Sequence, residues 1–499
     1  MHPFYKSLLV VAFFSQAVIA DDKAGTPPEK PAKEAKTASP VTKDGKIVIA
    51  GNEISYKSTV GKLQLRDDKG DVTASMFYTS YVKSGVTEGS KRPVMFAFNG
   101  GPGSSSVWLH IGILGPKRVF FPGDGTQPIE PPARLIDNDQ SLLDVCDLVF
   151  IDPVSTGYSR AEKKDNEKDF HSLQSDISSV GDFIRMWVTE NNRWASPKYL
   201  CGESYGGIRA AGLAEHLQDH YGMSLNGVVM LSTLLDYRTL IPSQGSQLSA
   251  QVYLPAFATT AHFHGKVPGD RNQLYKDASE FAFGEYGVAL QKGTNISAGE
   301  KARIAAKLAA LTGISAEMWE RKNLELDPSE FRAELLRDEK KVIGRFDGRV
   351  AWDSTAPTWN YAEYDPSYSL ALGAFSTAML SYLGDDLGWK EDQPYEILTS
   401  VSPWKFNSDN RIVNVADSLA TAMRDNPRMR VLVMGAYADL ATPPQSMEYS
   451  LRQIDGFPDA LRKNISFEYY EAGHMFYLNP PDLVKARKDL VEFIGHPQP

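Results

Sequence analysis

The sequence predicts an α/β protein with a mostly parallel central sheet, helices on both faces, antiparallel N-terminal hairpins and an inserted helical cap. Three observations carry that reading. Residues 94–98, 148–152, 199–201 and 227–231 are short apolar runs, each closed by a turn or loop, as strands buried on both faces require. Helical spacing lies among them, at Leu173, Ile177, Val180, Ile184 and Trp187, and again from Ser204 through His216. The alternation stops near Thr233 and resumes only at residues 431–434 and 465–470, so the stretch between is an insertion.

Taken in order, residues 1–20 show the three-part layout of a secretory signal peptide. A short start with one Lys is followed by an apolar run, then by Val18-Ile19-Ala20 ahead of Asp21-Asp22, and cleavage is expected after Ala20. The apolar run is too short to span a bilayer, and no later stretch is long and apolar enough, so no stable membrane insertion is expected once the signal is removed. Residues 21–43, rich in Ala, Lys, Pro, Thr and Glu without apolar periodicity, read as a flexible linker. Residues 44–232 form the first part of the core. They begin with alternating runs at 46–50, 53–57, 62–65 and 73–81, separated by Gly-Asn, Val-Gly and Lys-Gly-Asp turn signals. Residues 233–425 form the cap, with helical spacing at 301–311, 316–322 and 328–337 and Asp327 or Ser329 as a helix cap. Residues 426–499 complete the core, ending in a helix that starts near Pro481.

Composition narrows the function. A chain that is 42% hydrophobic and 23% charged is an ordinary folded protein with ample core. Its net charge of −9 argues against nucleic acid as a partner. Cys146 and Cys201 are the only cysteines; they read as buried free thiols, giving neither a redox motif nor a metal site. So few cysteines in an exported chain fit a bacterial periplasm or exterior.

The chemistry centres on Gly202-Glu203-Ser204-Tyr205-Gly206, a Gly-x-Ser-x-Gly pentapeptide between a predicted strand and a predicted helix. A serine hydroxyl is a poor nucleophile until the backbone exposes it and a base takes its proton. Downstream, in the order such a serine needs, Asp439 follows the strand at 431–434 and His474 follows the strand at 465–470. Each stands just past the C-terminal end of a predicted parallel strand, where sites form in open α/β sheets. His474 is then the base, and Asp439 the group that fixes its tautomer. Asn99-Gly100-Gly101-Pro102-Gly103, after the first buried strand, supplies bare backbone N–H groups for an oxyanion. Gly101 and Tyr205 are the expected donors.

At this point the sequence resembles the serine carboxypeptidase family. The resemblance rests on Asn99-Gly-Gly-Pro-Gly-Ser-Ser-Ser106, Asp152-Pro-Val-Ser-Thr-Gly-Tyr-Ser159, Gly202-Glu-Ser-Tyr-Gly-Gly207 and Ala472-Gly-His-Met475, in family order. It implies an α/β-hydrolase fold, release of C-terminal amino acids from peptides through an acyl-enzyme, and no cofactor or metal. It makes Ser204, Asp439 and His474 the triad and Gly101 and Tyr205 the oxyanion donors. Asn99 and Glu203 would grip the substrate's terminal carboxylate, and Met475 would line the leaving-residue pocket. That grip needs a protonated Glu203, since two ionised carboxylates repel. The sequence departs from the family at Ile113, where a second Glu would precede Leu-Gly-Pro, at Ala97 for an aromatic, and at Ser104 for a Cys. Ser232-Thr233-Leu234 replaces Gly-Asn-Gly.

Other features read as structural. His262 and His264 are one pair without partnered acids, and Trp352, Trp359, Tyr361 and Tyr364 read as packing of the cap. Two rival functions stay open: an esterase or acyltransferase of the same fold, and a non-catalytic binding module on a hydrolase scaffold. Oligomeric state is not legible.

Overall fold

Alternating burial builds one edge of the sheet. Strands β1 (Val41–Ile49), β2 (Asn52–Arg66) and β3 (Val72–Lys83) pair antiparallel in a meander. The computed structural model describes residues 39–241, 246–406 and 411–495. The expected signal peptide and residues 21–38 of the expected linker lie outside them, while residues 41–43 of that linker are already strand. The Val60-Gly61 turn signal is also overturned, because β2 runs straight through it. Gly61 pairs with Tyr78, and the missing side chain makes room for that ring and for Pro40.

The parallel part follows from strands buried on both faces, with a half-exposed strand at its edge. β4 (Val94–Phe98), β7 (Asp147–Ile151), β9 (Lys198–Ser204), β10 (Gly227–Thr233), β13 (Arg430–Ala436) and β14 (Ile465–Tyr470) all run the same way. The sheet order is β1-β2-β3-β7-β4-β9-β10-β13-β14. The short β8 (Arg160–Ala161) is added beside β3. Two small hairpins stand apart: β5 (Lys117–Val119) with β6 (Leu135–Asp137), and β11 (Lys341–Ile343) with β12 (Ala351–Asp353).

Two cores form because successive side chains of a strand point to opposite faces. Val94, Phe96 and Phe98 join Val228, Met230, Val431 and Val433 under the helices Leu173–Glu190, Tyr205–Tyr221 and Ala416–Asp425. Met95 and Ala97 join Phe150, Val229, Leu231 and Met434 under Pro366–Ser381 and the C-terminal helix Pro480–Gly495. A third core, around Phe257, Leu308, Trp319 and Phe331, belongs to the insertion. Its helix Pro328–Glu334 starts on an Asp327 capping box.

The insertion is therefore less separate than its sequence suggests. Thr233 still belongs to β10, and Ala416–Asp425, expected in the cap, packs on the helix that follows Ser204. Both cysteines are buried and free. No helix among the described residues is long and apolar enough to cross a membrane.

Candidate active site

Ser204 ends β9 and caps the helix Tyr205–Tyr221, with φ 61° and ψ −131°. A non-glycine residue holds a positive φ only where its surroundings enforce it. Here they do. A Cβ on Gly202 would sit 2.1 Å from the Gly206 carbonyl oxygen, and one on Gly206 would sit 2.7 Å from that of Phe98. The bare glycines let the strand end and the helix start cross at that distance. Thr233 Oγ1 donates to the Ser204 carbonyl at 2.5 Å, in the space a side chain on Gly207 would fill. Thr233, in the stretch that stands in place of Gly-Asn-Gly, thus supplies a brace for the turn.

The Asn99–Gly103 loop lies against the same helix start, where a Cβ on Gly100 would approach the Tyr205 nitrogen to 2.4 Å. Gly101 takes φ 100° at its tip. Asp152 holds the far end of the loop, its Oδ1 accepting from Ser106 N at 2.8 Å and Ser106 Oγ at 2.7 Å. The carboxyl is buried, which raises its pKa to about 6 against the Ser106 bonds that lower it. The Asp152–Ser159 motif therefore shapes the loop after β4.

His474 Nδ1 donates to Asp439 Oδ2 at 2.9 Å. Asp439 is fully buried, and its Oδ1 accepts from the backbone N–H groups of Ala441 and Thr442 at 2.8 and 2.9 Å. Thr442 Oγ1 lies 2.9 Å from Asp439 Oδ2 and 3.0 Å from His474 Nδ1. Burial opposes charge on the imidazole, but Asp439, through its field and its hydrogen bond, outweighs it and leaves the His474 pKa raised. Phe346 of the insertion stacks on the imidazole with centroids 5.1 Å apart.

Glu203, one residue before Ser204, is 3% exposed. Burial pushes its pKa up to about 7, against the fields and bonds of His474, Tyr477 and Asn99 that lower it. Tyr477 Oη donates to Glu203 Oε2 at 2.9 Å, and Asn99 hydrogen-bonds the same carboxyl. Asn99 is fixed in turn: its Oδ1 accepts from Leu109 N at 3.0 Å, and its carbonyl accepts from Arg209 Nη1 at 2.6 Å. Arg209 is 1% exposed and also donates to buried Asp176 at 2.8 Å.

These groups meet in one cavity of about 190 Å³, lined by Asn99, Gly101, Glu203, Ser204, His474 and Met475 together with Trp108, Arg345, Phe346, Tyr368 and Leu398. Asp439 and Tyr205 stand behind that wall. Ile113 is buried and not part of the lining, so its position brings no second acid to the cavity. The aromatic cluster at 352–364 does not line it either. Trp359 and Tyr361 are 48% and 53% exposed, which corrects the expectation that they pack the cap. His262 and His264 bond the carbonyls of Val267 and Gly348 and serve as turn struts.

Sequence reasoning missed Thr442, Tyr477, Arg209, Arg345 and Phe346. Thr442 had a signal, since an Asp followed three residues later by a small hydroxyl residue is an Asx-turn pattern. Tyr477 follows His474 by one short turn, Met475 through Leu478. Arg345 and Phe346 come from the insertion and have no local signal.

A serine carboxypeptidase family model matches residues 52–264. The pheromone-processing carboxypeptidase KEX1 of Puccinia graminis is 27% identical over 182 residues, covering 36% of this chain and 24% of that protein. Serine carboxypeptidase-like 36 of Arabidopsis thaliana is 28% identical over 165 residues, covering 32% and 31%. The chain thus matches only a quarter to a third of the length of these relatives. Among solved structures, the prohormone-processing carboxypeptidase Kex1(delta)p of Saccharomyces cerevisiae superposes with TM-score 0.54 at 15% identity, covering 88% of this chain and 91% of that one, which shows the shared α/β-hydrolase fold. With the sheet and the glycine-crowded turn already in place, the chain has the α/β-hydrolase fold and is similar to serine carboxypeptidases over residues 52–264.

Proposed function

We propose that this chain is a serine carboxypeptidase that releases C-terminal residues from peptides through an acyl-enzyme. The observation that supports this most is the shared cavity of Ser204, His474 and the buried acid Glu203. With Nδ1 held by Asp439, His474 keeps Nε2 for the Ser204 proton. Ser204 Oγ then bonds the scissile carbonyl carbon. The oxygen takes the charge and is held by the N–H groups of Gly101 and Tyr205. His474 passes the proton to the departing amine, the C–N bond breaks, and water repeats the sequence to free Ser204.

The leaving residue carries its own carboxylate. Protonated Glu203 donates to that carboxylate beside Asn99, and Met475 lines the pocket for the leaving side chain. Because its carboxyl is pushed to about 7, Glu203 holds its proton in mildly acidic water, where an ordinary Glu does not. Export to a bacterial periplasm or exterior, read from residues 1–20 and the scarcity of cysteines, belongs to the same proposal.

One experiment tests the reading. The purified chain is labelled with a fluorophosphonate, then assayed on a blocked dipeptide and its C-terminal amide across pH. Labelling at Ser204 with faster cleavage of the acid supports it. Equal rates on acid and amide at every pH would leave an esterase or acyltransferase of the same fold.

A further inference from the structure

The cavity holds a cation that the proposed mechanism does not use. Arg345 lines it beside Ser204, Glu203 and His474. Its side chain is exposed and its guanidinium lies 5.3 Å from the centre of the Phe346 ring. Among the described residues no carboxylate forms an ion pair with it, although Arg337 and Arg349, on either side of it in the chain, are paired. The groups that feel its charge are Arg332, Tyr253 and His474. Asp365, which takes the Arg345 backbone N–H at 2.9 Å, gives the same oxygen to Ser367 N and Ser367 Oγ.

The position of Arg345 is fixed from three sides. Its carbonyl accepts from Leu440 N at 3.1 Å, next to Asp439. The Phe346 carbonyl accepts from His474 N at 2.5 Å, and the Phe346 N–H donates to Ser367 Oγ at 3.0 Å. A guanidinium is always charged and offers five donors in a planar fork matched to a carboxylate. Held on a braced backbone at the mouth of a cavity that already contains an acid, it lacks one thing, an anion.

We propose that Arg345 binds a carboxylate of the substrate in the active-site cavity. It does the work that a second acid at position 113 does not do here. This inference rests on the peptidase reading above. The carboxylate has two sources, the C-terminal α-carboxylate or an Asp or Glu side chain flanking the scissile bond, and the chemistry is the same for both.

The test uses the full chain and four substrates: benzyloxycarbonyl-Phe-Leu, its C-terminal amide, and the amides of benzyloxycarbonyl-Glu-Leu and benzyloxycarbonyl-Phe-Glu. Assays run at about pH 8.5, where Glu203 is ionised and cannot donate. Wild type, Arg345→Ala, Arg345→Lys and Arg345→Glu are compared by ratios of kcat/KM, so a general loss of folded protein cancels. The expected result is a fall of about tenfold in one carboxylate-to-neutral ratio in the Ala variant, partial retention in Lys and reversal in Glu. If the acid-to-amide ratio moves, the α-carboxylate is the ligand; if a Glu-to-neutral ratio moves, the side chain is. A wild type that cleaves the dipeptides, with every ratio unchanged in all three variants, overturns the inference and leaves the peptidase reading standing. A wild type that cleaves none of the four overturns the peptidase reading, and this one with it.

Discussion

The two walls of the active-site cavity are built on different principles. The sheet wall carries Glu203 and Ser204 at the end of β9, and Asn99 and His474 on the loops after β4 and β14. There three groups have dedicated partners: Asp439 for His474, Tyr477 for Glu203, and Arg209 for the Asn99 carbonyl. The cap wall carries Arg345, Phe346, Tyr368 and Leu398, and among the described residues no carboxylate forms an ion pair with Arg345. His474, Glu203 and Asn99 are braced by hydrogen bonds, whereas the cap wall offers a cation that no carboxylate among the described residues pairs with.

The largest effect should come from the sheet wall. Ser204→Ala should cut kcat on the order of a millionfold, read by active-site-titrated assays of a blocked dipeptide. Retained turnover would end the nucleophile assignment. Asp439→Asn should cost roughly ten-thousandfold, because an amide donor in place of Oδ2 favours the wrong imidazole tautomer. Stability is the next measure. Arg209→Met leaves Asp176 buried and unpaired and should cost about 3–5 kcal/mol in urea unfolding. A cost near zero would mean that the support beneath Asn99 is dispensable.

Smaller effects test selection. Protonated Glu203 donates to a carboxylate and ionised Glu203 repels it, so its share of the acid-over-amide preference is present below about pH 7 and lost above. Glu203→Gln, which has no proton to lose, should flatten that pH dependence, with the preference at about pH 5.5 changing by roughly tenfold at most. Smallest of all, Tyr477→Phe removes a bond that stabilises ionised Glu203, so the midpoint should rise by roughly half to one pH unit. A downward move would show that Tyr477 does not donate to the charged form.

The difference between the walls also explains what was legible in the sequence. The strands β4, β7, β9, β10 and β13 announced themselves because a strand buried on both faces must be an uninterrupted apolar run, while the edge strand β14 is a mixed run with Ser466 and Glu468 in it. The sheet-wall residues follow those runs directly, so Ser204, Asp439 and His474 could be found by counting from strand ends. Gly61 misled because a glycine within a strand and a glycine in a turn look alike until the Tyr78 ring above it is seen. Trp359 and Tyr361 misled because aromatic content does not say which side of a loop faces water. The cap wall was hidden for another reason. Arg345 reaches the cavity through backbone bonds to residues distant in sequence, and no local pattern encodes such a pairing.

Those backbone bonds carry one more consequence. Gly348 N donates to the Ala438 carbonyl, Leu440 N to that of Arg345 and His474 N to that of Phe346. Gly473 has no side chain, and a Cβ there would meet the Phe346 carbonyl oxygen at 2.2 Å. The segment from Gly344 to Gly348 is thus stitched main chain to main chain onto both loops that carry the base and its acid. A chimera that exchanged the whole insertion would unstitch the catalytic pair, whereas point changes at 345 or 346 leave every one of these main-chain bonds in place. Side chains at this cavity wall can therefore change one at a time on a main chain held in place, which exchange of the whole block would disturb.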